Sequence, residues 1–338
     1  MDALIEILKD SFKSSIFIGL IYGIGTVGLG FIYKYLKFPD FTTMASIAIG
    51  SITMVVVGEK YGIAIGLISS LLIGSALGLF TALQITIVSI PPILAGICTS
   101  VGAYSVSYSI NSNNADASFS RALRPTLDLI VNNVYTTQSL ITLTLICIII
   151  SLVLSLVFST KFGLYILAMM GTENYLNFHH KKKGVATVLI IVVGNAVIGF
   201  AGALAAIQNG TATVRGHEEF LLTALGGYVL GMFFIVRFTK KSIRSYLGKD
   251  NTPSGNIVLK LLYSIQKEFS RNDEDRIKIF YTFLAFIFST ALINLIFQMV
   301  EIGVELPANL KYMWKAILVF LILAFSIWTE KLSETKTI

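Results

Sequence analysis

Long apolar runs separated by short polar blocks set the pattern of this chain. The runs at 16–33, 63–83, 139–158, 185–207, 220–236, 279–300 and 312–328 are continuous rather than alternating. About 20 apolar residues are what an α-helix needs to cross a bilayer, and continuity excludes the period-two pattern of a membrane barrel. Two further runs are interrupted. Phe38-Pro39-Asp40-Phe41-Thr42-Thr43 precedes 42–57, which is short for a full crossing and reads as tilted or partly re-entrant. Pro91-Pro92 and Ala95-Gly96-Ile97-Cys98-Thr99-Ser100 break up 84–110, either as a broken helix facing protein or water or as a simple proline kink. The expected fold is an all-α polytopic membrane protein of about nine transmembrane helices, within a range of eight to ten, forming one domain over 1–338.

Finer patterning adds detail. Residues 5–12 alternate apolar and charged positions at helical spacing, which predicts an interfacial helix. Proline disfavours helix just before it, so a new helix starts after Pro39, with Asp40 or Thr42 able to cap it. Small residues recur inside the spans: Gly19, Gly23, Gly25, Gly28 and Gly30 in the first, Gly66, Gly74 and Gly78 in the third, Gly194, Gly199 and Gly202 later. Such positions let backbones approach closely.

The chain is 55% hydrophobic and 13% charged, against about 25% charged in soluble domains. Its net charge of +7 follows topology rather than nucleic-acid binding. With the basic block at 168–184 placed in the cytoplasm, Lys34, Lys37, the insertion at 237–278 and the C-terminal tail fall on the same side. That side holds 18 of the 26 Lys and Arg residues and the other side 8, as the positive-inside rule requires. Cys98 and Cys147 both lie in apolar runs and form no disulfide framework. Asp2, Glu6 and Asp10 argue against a signal peptide in the first 15 residues. The insertion carries Ile257, Leu261, Leu262, Ile265 and Phe269 at the spacing of a surface amphipathic helix.

Catalytic chemistry finds no foothold. There is no phosphate-binding loop, no Ser-His-Asp constellation and no metal cluster. His179 and His180 point about 100° apart on a helix and read as part of a solvated basic loop. The spans are almost free of ionisable residues, which argues against an ion-coupled pump built on buried carboxylates. A polar translocation route has Asp40, Thr42, Thr43, Ser46, Thr99, Ser100, Asn195 and Asn294 as its candidates. Ser and Thr in membrane helices commonly bond back to their own backbone. Asn195 needs a partner in an apolar span, whether another helix or a solute.

Four segments carry a family resemblance: Phe38–Thr42 opening the second helix; Ile90–Ile97 before Tyr104-Ser105; Gly171-Thr172-Glu173-Asn174 opening the basic loop; and Gly202–Ala206 leading to the small-residue helix at 225–231. In their order and spacing the chain resembles the permease subunits of bacterial ATP-binding-cassette importers of the branched-chain amino acid, ribose and nucleoside type. It is more closely similar to the branch of tryptophan/tyrosine and related solute permeases. The resemblance covers about 16–236 and, weakly, 304–325. It implies a permease in the bacterial plasma membrane with no catalytic residue and no bound cofactor, ATP–Mg being held by a partner ATPase dimer. An extracytoplasmic binding protein would deliver a small neutral solute, such as an amino acid, nucleoside or sugar, and a second permease copy would complete the pathway.

The resemblance also implies a coupling helix at Gly171, Glu173, Asn174, Tyr175, Leu176 and Phe178, its apolar ridge pressed into a groove of the ATPase. Lys181, Lys182 and Lys183 would meet the ATPase rim or anionic headgroups, or simply mark an ordinary positive-inside loop. The chain departs from the family pattern in lacking a proline after Asn174, in having Met44 at a usually acidic or glycine position, and in the length of 239–278. The competing readings are a stand-alone secondary transporter and a non-transporting scaffold subunit.

Overall fold

The computed structural model describes residues 2–36, 38, 40–119, 137–160, 180–215, 219–238, 273–303, 310, 313–322 and 324. The coupling residues Gly171, Glu173, Asn174, Tyr175, Leu176 and Phe178, most of the insertion and the tail lie outside them. Nine helices account for most of the described residues. They are α1 (Asp2–Leu36), α2 (Thr42–Tyr61), α3 (Ile63–Thr86), α4 (Pro92–Ile110), α5 (Thr137–Ser159), α6 (His180–Asn209), α7 (Glu219–Phe238), α8 (Asp273–Gly303) and the short α9 (Met313–Ile322).

Seven of them hold a stretch long and apolar enough to cross a membrane: α1 to α6 and α8. The other two runs of the sequence-derived nine form shorter apolar helices, Glu219–Ile235 within α7 and Met313–Ile322. The protein is thus a multi-pass, predominantly helical membrane protein.

Three local expectations change. The predicted interfacial helix is the first part of one unbroken helix, α1. α2 reaches twenty residues because it runs through Gly58-Glu59-Lys60 to Tyr61, so its length suffices for a crossing. It stops at Gly62, whose φ of 97° suits a residue without Cβ. The Pro91-Pro92 break is a turn between two antiparallel helices rather than a kink within one. Pro92 occupies the first turn of α4, where a missing N–H costs nothing, and Ser89 turns the chain at φ 60°.

A small antiparallel strand pair, β1 (Asp116–Ser118) with β2 (Thr211–Thr213), has no counterpart among the expected elements. It joins the ends of α4 and α6. Asn111 fastens it by donating from Nδ2 to the carbonyls of Asn114 and Asp116.

Close approaches fix the helix directions. Gly28 meets Gly194, and Gly23 meets Ile287, so α1 runs antiparallel to α6 and α8. Ser46 meets Asn195, Gly50 meets Gly199, and Met54 and Val55 cluster with Ala203, Ala206 and Ile207, so α2 runs parallel to α6. Gly74 and Gly78 meet Asn195 and Ile191, which sets α3 antiparallel to α6. Leu154 joins Val27 and Phe31 around a small apolar cavity, and Cys147 lies beside Leu20, so α5 runs with α1. Successive helices therefore alternate in direction. One end of the bundle gathers the connections after α1, α3, α5 and α7; the other gathers those after α2, α4, α6 and α8.

α6 is the shared wall. On one side it packs on α1, whose Phe17, Leu20, Ile21, Ile24 and Ile32 form a core with Phe220, Phe286 and Ile287. Aromatic edges lock that core, as in Tyr22 against Phe220 at 5.6 Å and 74°. On the other side α6 packs on α2 and α3 through glycines. A Cβ on Gly50, Gly74, Gly199 or Gly202 would run into the facing backbone. Backbone contact this close leaves polar side chains of one helix within reach of the next.

Candidate functional site

The polar centre grows from the start of α2. Phe41 is its N-cap by position, with a backbone already helical, and offers no side-chain bond. Asp40 serves instead: its Oδ1 accepts from the Thr42 N–H at 2.9 Å, and Thr43 Oγ1 donates to the Asp40 carbonyl at 2.8 Å. An acidic group at a helix N-terminus also meets the positive end of the helix dipole.

α6 brings Asn195 to this carboxyl. Asn195 Nδ2 donates to Asp40 Oδ2 at 2.7 Å and to the Ile191 carbonyl at 3.1 Å, while Ser46 Oγ donates to Asn195 Oδ1 at 2.6 Å. Both amide hydrogens and the amide oxygen of Asn195 are therefore engaged. The glycine contacts explain the reach, for Gly50 and Gly199 lie four residues beyond Ser46 and Asn195 on the same pair of helices.

A second branch leaves Thr42. Its Oγ1 lies 2.8 Å from Thr81 Oγ1, and Thr81 donates to Thr99 Oγ1 at 2.9 Å. Gln84 Nε2 donates to the same Thr99 oxygen at 3.1 Å, and Thr99 donates to the Ala95 carbonyl at 2.9 Å. Ser100 Oγ donates to the Phe41 carbonyl at 2.8 Å and ties α4 to the connector before α2.

Seven residues singled out in the sequence meet here: Asp40, Thr42, Thr43, Ser46, Thr99, Ser100 and Asn195. The eighth, Asn294, does not. It donates to the Ser15 carbonyl at 2.8 Å in the seam between α1 and α8, so it is a helix–helix bond elsewhere in the bundle. Sequence reading missed Thr81 and Gln84. Thr81 looks like any hydroxyl bonded back to its own helix, and it does lie 3.2 Å from the Leu77 carbonyl.

The seven are between 0 and 8% exposed, so the centre is closed to water in this arrangement. In the connector, burial pushes the Asp40 carboxyl above its ordinary range, against the pull of hydrogen bonds from Asn195 and from the Thr42 backbone and side chain. A buried polar network of this kind is stable only when each member has a partner, and opening it would expose a carboxyl, an amide and several hydroxyls. That is suitable chemistry for passing an uncharged or zwitterionic solute.

A second polar cluster lies toward the opposite end of the bundle. Lys315 of α9 bridges Glu219 at the start of α7 and Glu301 near the end of α8, the latter at 3.0 Å. Its ammonium lies 5.8 Å from the Phe297 ring centroid. Compared with known proteins, the chain matches no family model, no curated protein and no solved structure.

Proposed function

We propose that the chain is the membrane-spanning permease subunit of a bacterial ATP-binding-cassette importer. The observation that carries the reading is the meeting of two of the four segments that resemble that family: the helix opened by Ile90–Ile97 is tied by Ser100 to the Phe41 carbonyl of Phe38–Thr42, whose Asp40 in turn holds Asn195 of α6. In this reading Asp40, Thr42, Thr43, Ser46, Thr99, Ser100 and Asn195 line the route for a small neutral solute when the helices separate. Gly171, Glu173, Asn174, Tyr175, Leu176 and Phe178 meet a partner ATPase, which supplies the energy and holds ATP–Mg. A binding protein delivers the solute outside, and a second permease copy completes the pathway in the plasma membrane. The alternating helix directions support it, since they gather at one end the close of α1 with Lys34, the start of α6 with Lys181, Lys182 and Lys183, and the close of α7 with Arg237.

One observation favours a second reading, that of a stand-alone secondary carrier: Asp40 is a buried carboxyl at a helix start. Reconstituted uptake separates the two. With a partner ATPase present, uptake depends on ATP, and Tyr175→Asp or Phe178→Asp abolishes it while the chain still inserts. Uptake by the chain alone, without any ATPase, would overturn the importer reading.

A further inference from the structure

The turn between α3 and α4 holds apolar side chains outward. Ile87 N–H donates to the Leu83 carbonyl at 2.9 Å and Ile90 N–H to the Gln84 carbonyl at 3.1 Å, after which Pro91 and Pro92 open the next helix. Ile87 and Val88 are left 73% and 64% exposed. Two such residues at the tip of a helix pair mark a surface that something covers.

The packing of α3 on α6 gives the height of this turn. Gly74 touches Asn195 and Gly78 touches Ile191, so each step along α3 is matched by an equal step back along α6. Eight residues separate Gly78 from Thr86, and eight separate Ile191 from Lys183. Both distances are about 12 Å along a helix, so Thr86 is level with Lys183. The apolar stretches agree, that of α3 ending at Thr86 and that of α6 beginning at Gly184. Ile87 and Val88 therefore enter the layer in which α6 turns basic, with Lys181, Lys182 and Lys183.

We propose that this surface binds an anionic phospholipid, its acyl chains along α3 and its headgroup at the level of the three lysines. Phe80, Leu83 and Ile87 recur at helical spacing, so they share one face of α3, and all three are exposed. That face runs from the depth of the bilayer into the headgroup layer. A protein-docking patch is closed by a polar rim instead. The headgroup charge follows from the residues around it. α3 and α4 contain no Asp or Glu, and neither does the first turn of α6, so no described carboxylate there would hold a choline or ethanolamine ammonium. Glu59 of α2 lies at the opposite end. Lysines at the membrane surface attract net negative headgroups. The proposal does not rest on the importer reading; a multi-pass bundle suffices.

Tryptophan quenching in lipid vesicles tests it. The full-length chain with Trp314→Phe, Trp328→Phe and Val88→Trp carries a single indole, at the turn. Vesicles of phosphatidylcholine receive equal fractions of either phosphatidylglycerol or phosphatidylcholine with brominated acyl chains. The brominated phosphatidylglycerol should show a relative association constant about fivefold higher, the factor one lysine supplies at an anionic surface. Lys181→Gln, Lys182→Gln and Lys183→Gln together should bring the two lipids level, as should high salt. Equal quenching by both lipids with the lysines intact overturns the proposal. So does a preference that survives removal of the lysines or, where that variant does not insert, high salt. Absence of quenching by either lipid also overturns it and assigns the turn to a protein partner.

Discussion

The two polar clusters of this bundle solve the same problem by opposite means. Around Asp40 the partners are an amide, hydroxyls and backbone groups, and every contributor is buried. Around Lys315 the partners are two full charges, with the Glu219 side chain 34% exposed and that of Glu301 9%. Charges cost most to bury where no water reaches, and ion pairs in solvent contribute little. The interior cluster therefore depends on close helix packing and loses most when one partner goes. The end cluster tolerates loss of its Glu219 arm, because water reaches that carboxylate, whereas Lys315 and Glu301 are nearly buried.

Substitutions that attack packing should separate the clusters furthest. In Gly202→Leu the new side chain meets the Ile47 backbone, which cannot yield without moving α2 from α6. The expected outcome is loss of the folded state, read as loss of cooperative thermal unfolding. The matching change beside the end cluster, Gly226→Leu, meets the tip of Ile293, a flexible side chain, and should leave a measurable transition.

Asn195→Leu comes next. It strips a partner from both Asp40 and Ser46 and should cost on the order of 3 kcal/mol in a denaturant titration. Lys315→Met should cost about 1–2 kcal/mol, since it leaves two carboxyls of which one is partly hydrated. Glu219→Gln should cost less than about 1 kcal/mol, and raising the salt concentration should shrink the difference further. Equal costs for Asn195→Leu and Glu219→Gln would erase the distinction between the two clusters.

Much of the bundle could be read from residue order, because apolar run length and glycine spacing are local signals. Gly74, Gly78, Gly194, Gly199 and Gly202, read as packing positions, are where the backbones touch. Asp40 was legible as a cap because Pro39 fixes where a helix can begin. Turn geometry was harder. Pro91-Pro92 looked like an interruption inside a span because the sequence does not say that the chain reverses there.

The end cluster left no trace in the sequence. Glu219 and Lys315 stand 96 residues apart, and each is an ordinary charge at the edge of an apolar run. Separation in sequence, 39 residues from Thr42 and 18 from Thr99, also hid the role of Thr81, which becomes visible only once α2 and α4 lie on either side of it.

The Asp40–Asn195 bond has a consequence for how the protein is made. The two residues are 155 positions apart, so at 5–20 residues per second the ribosome adds Asn195 roughly 8–30 s after Asp40. During that interval α2, α3, α4 and α5 are synthesised, yet the carboxyl lacks the amide that completes its burial. The start of α2 must wait at the membrane surface, where water can serve, and α6 is the helix whose arrival lets it settle. Biogenesis thus has a built-in order: the wall shared by the two halves of the bundle is also the part that closes it.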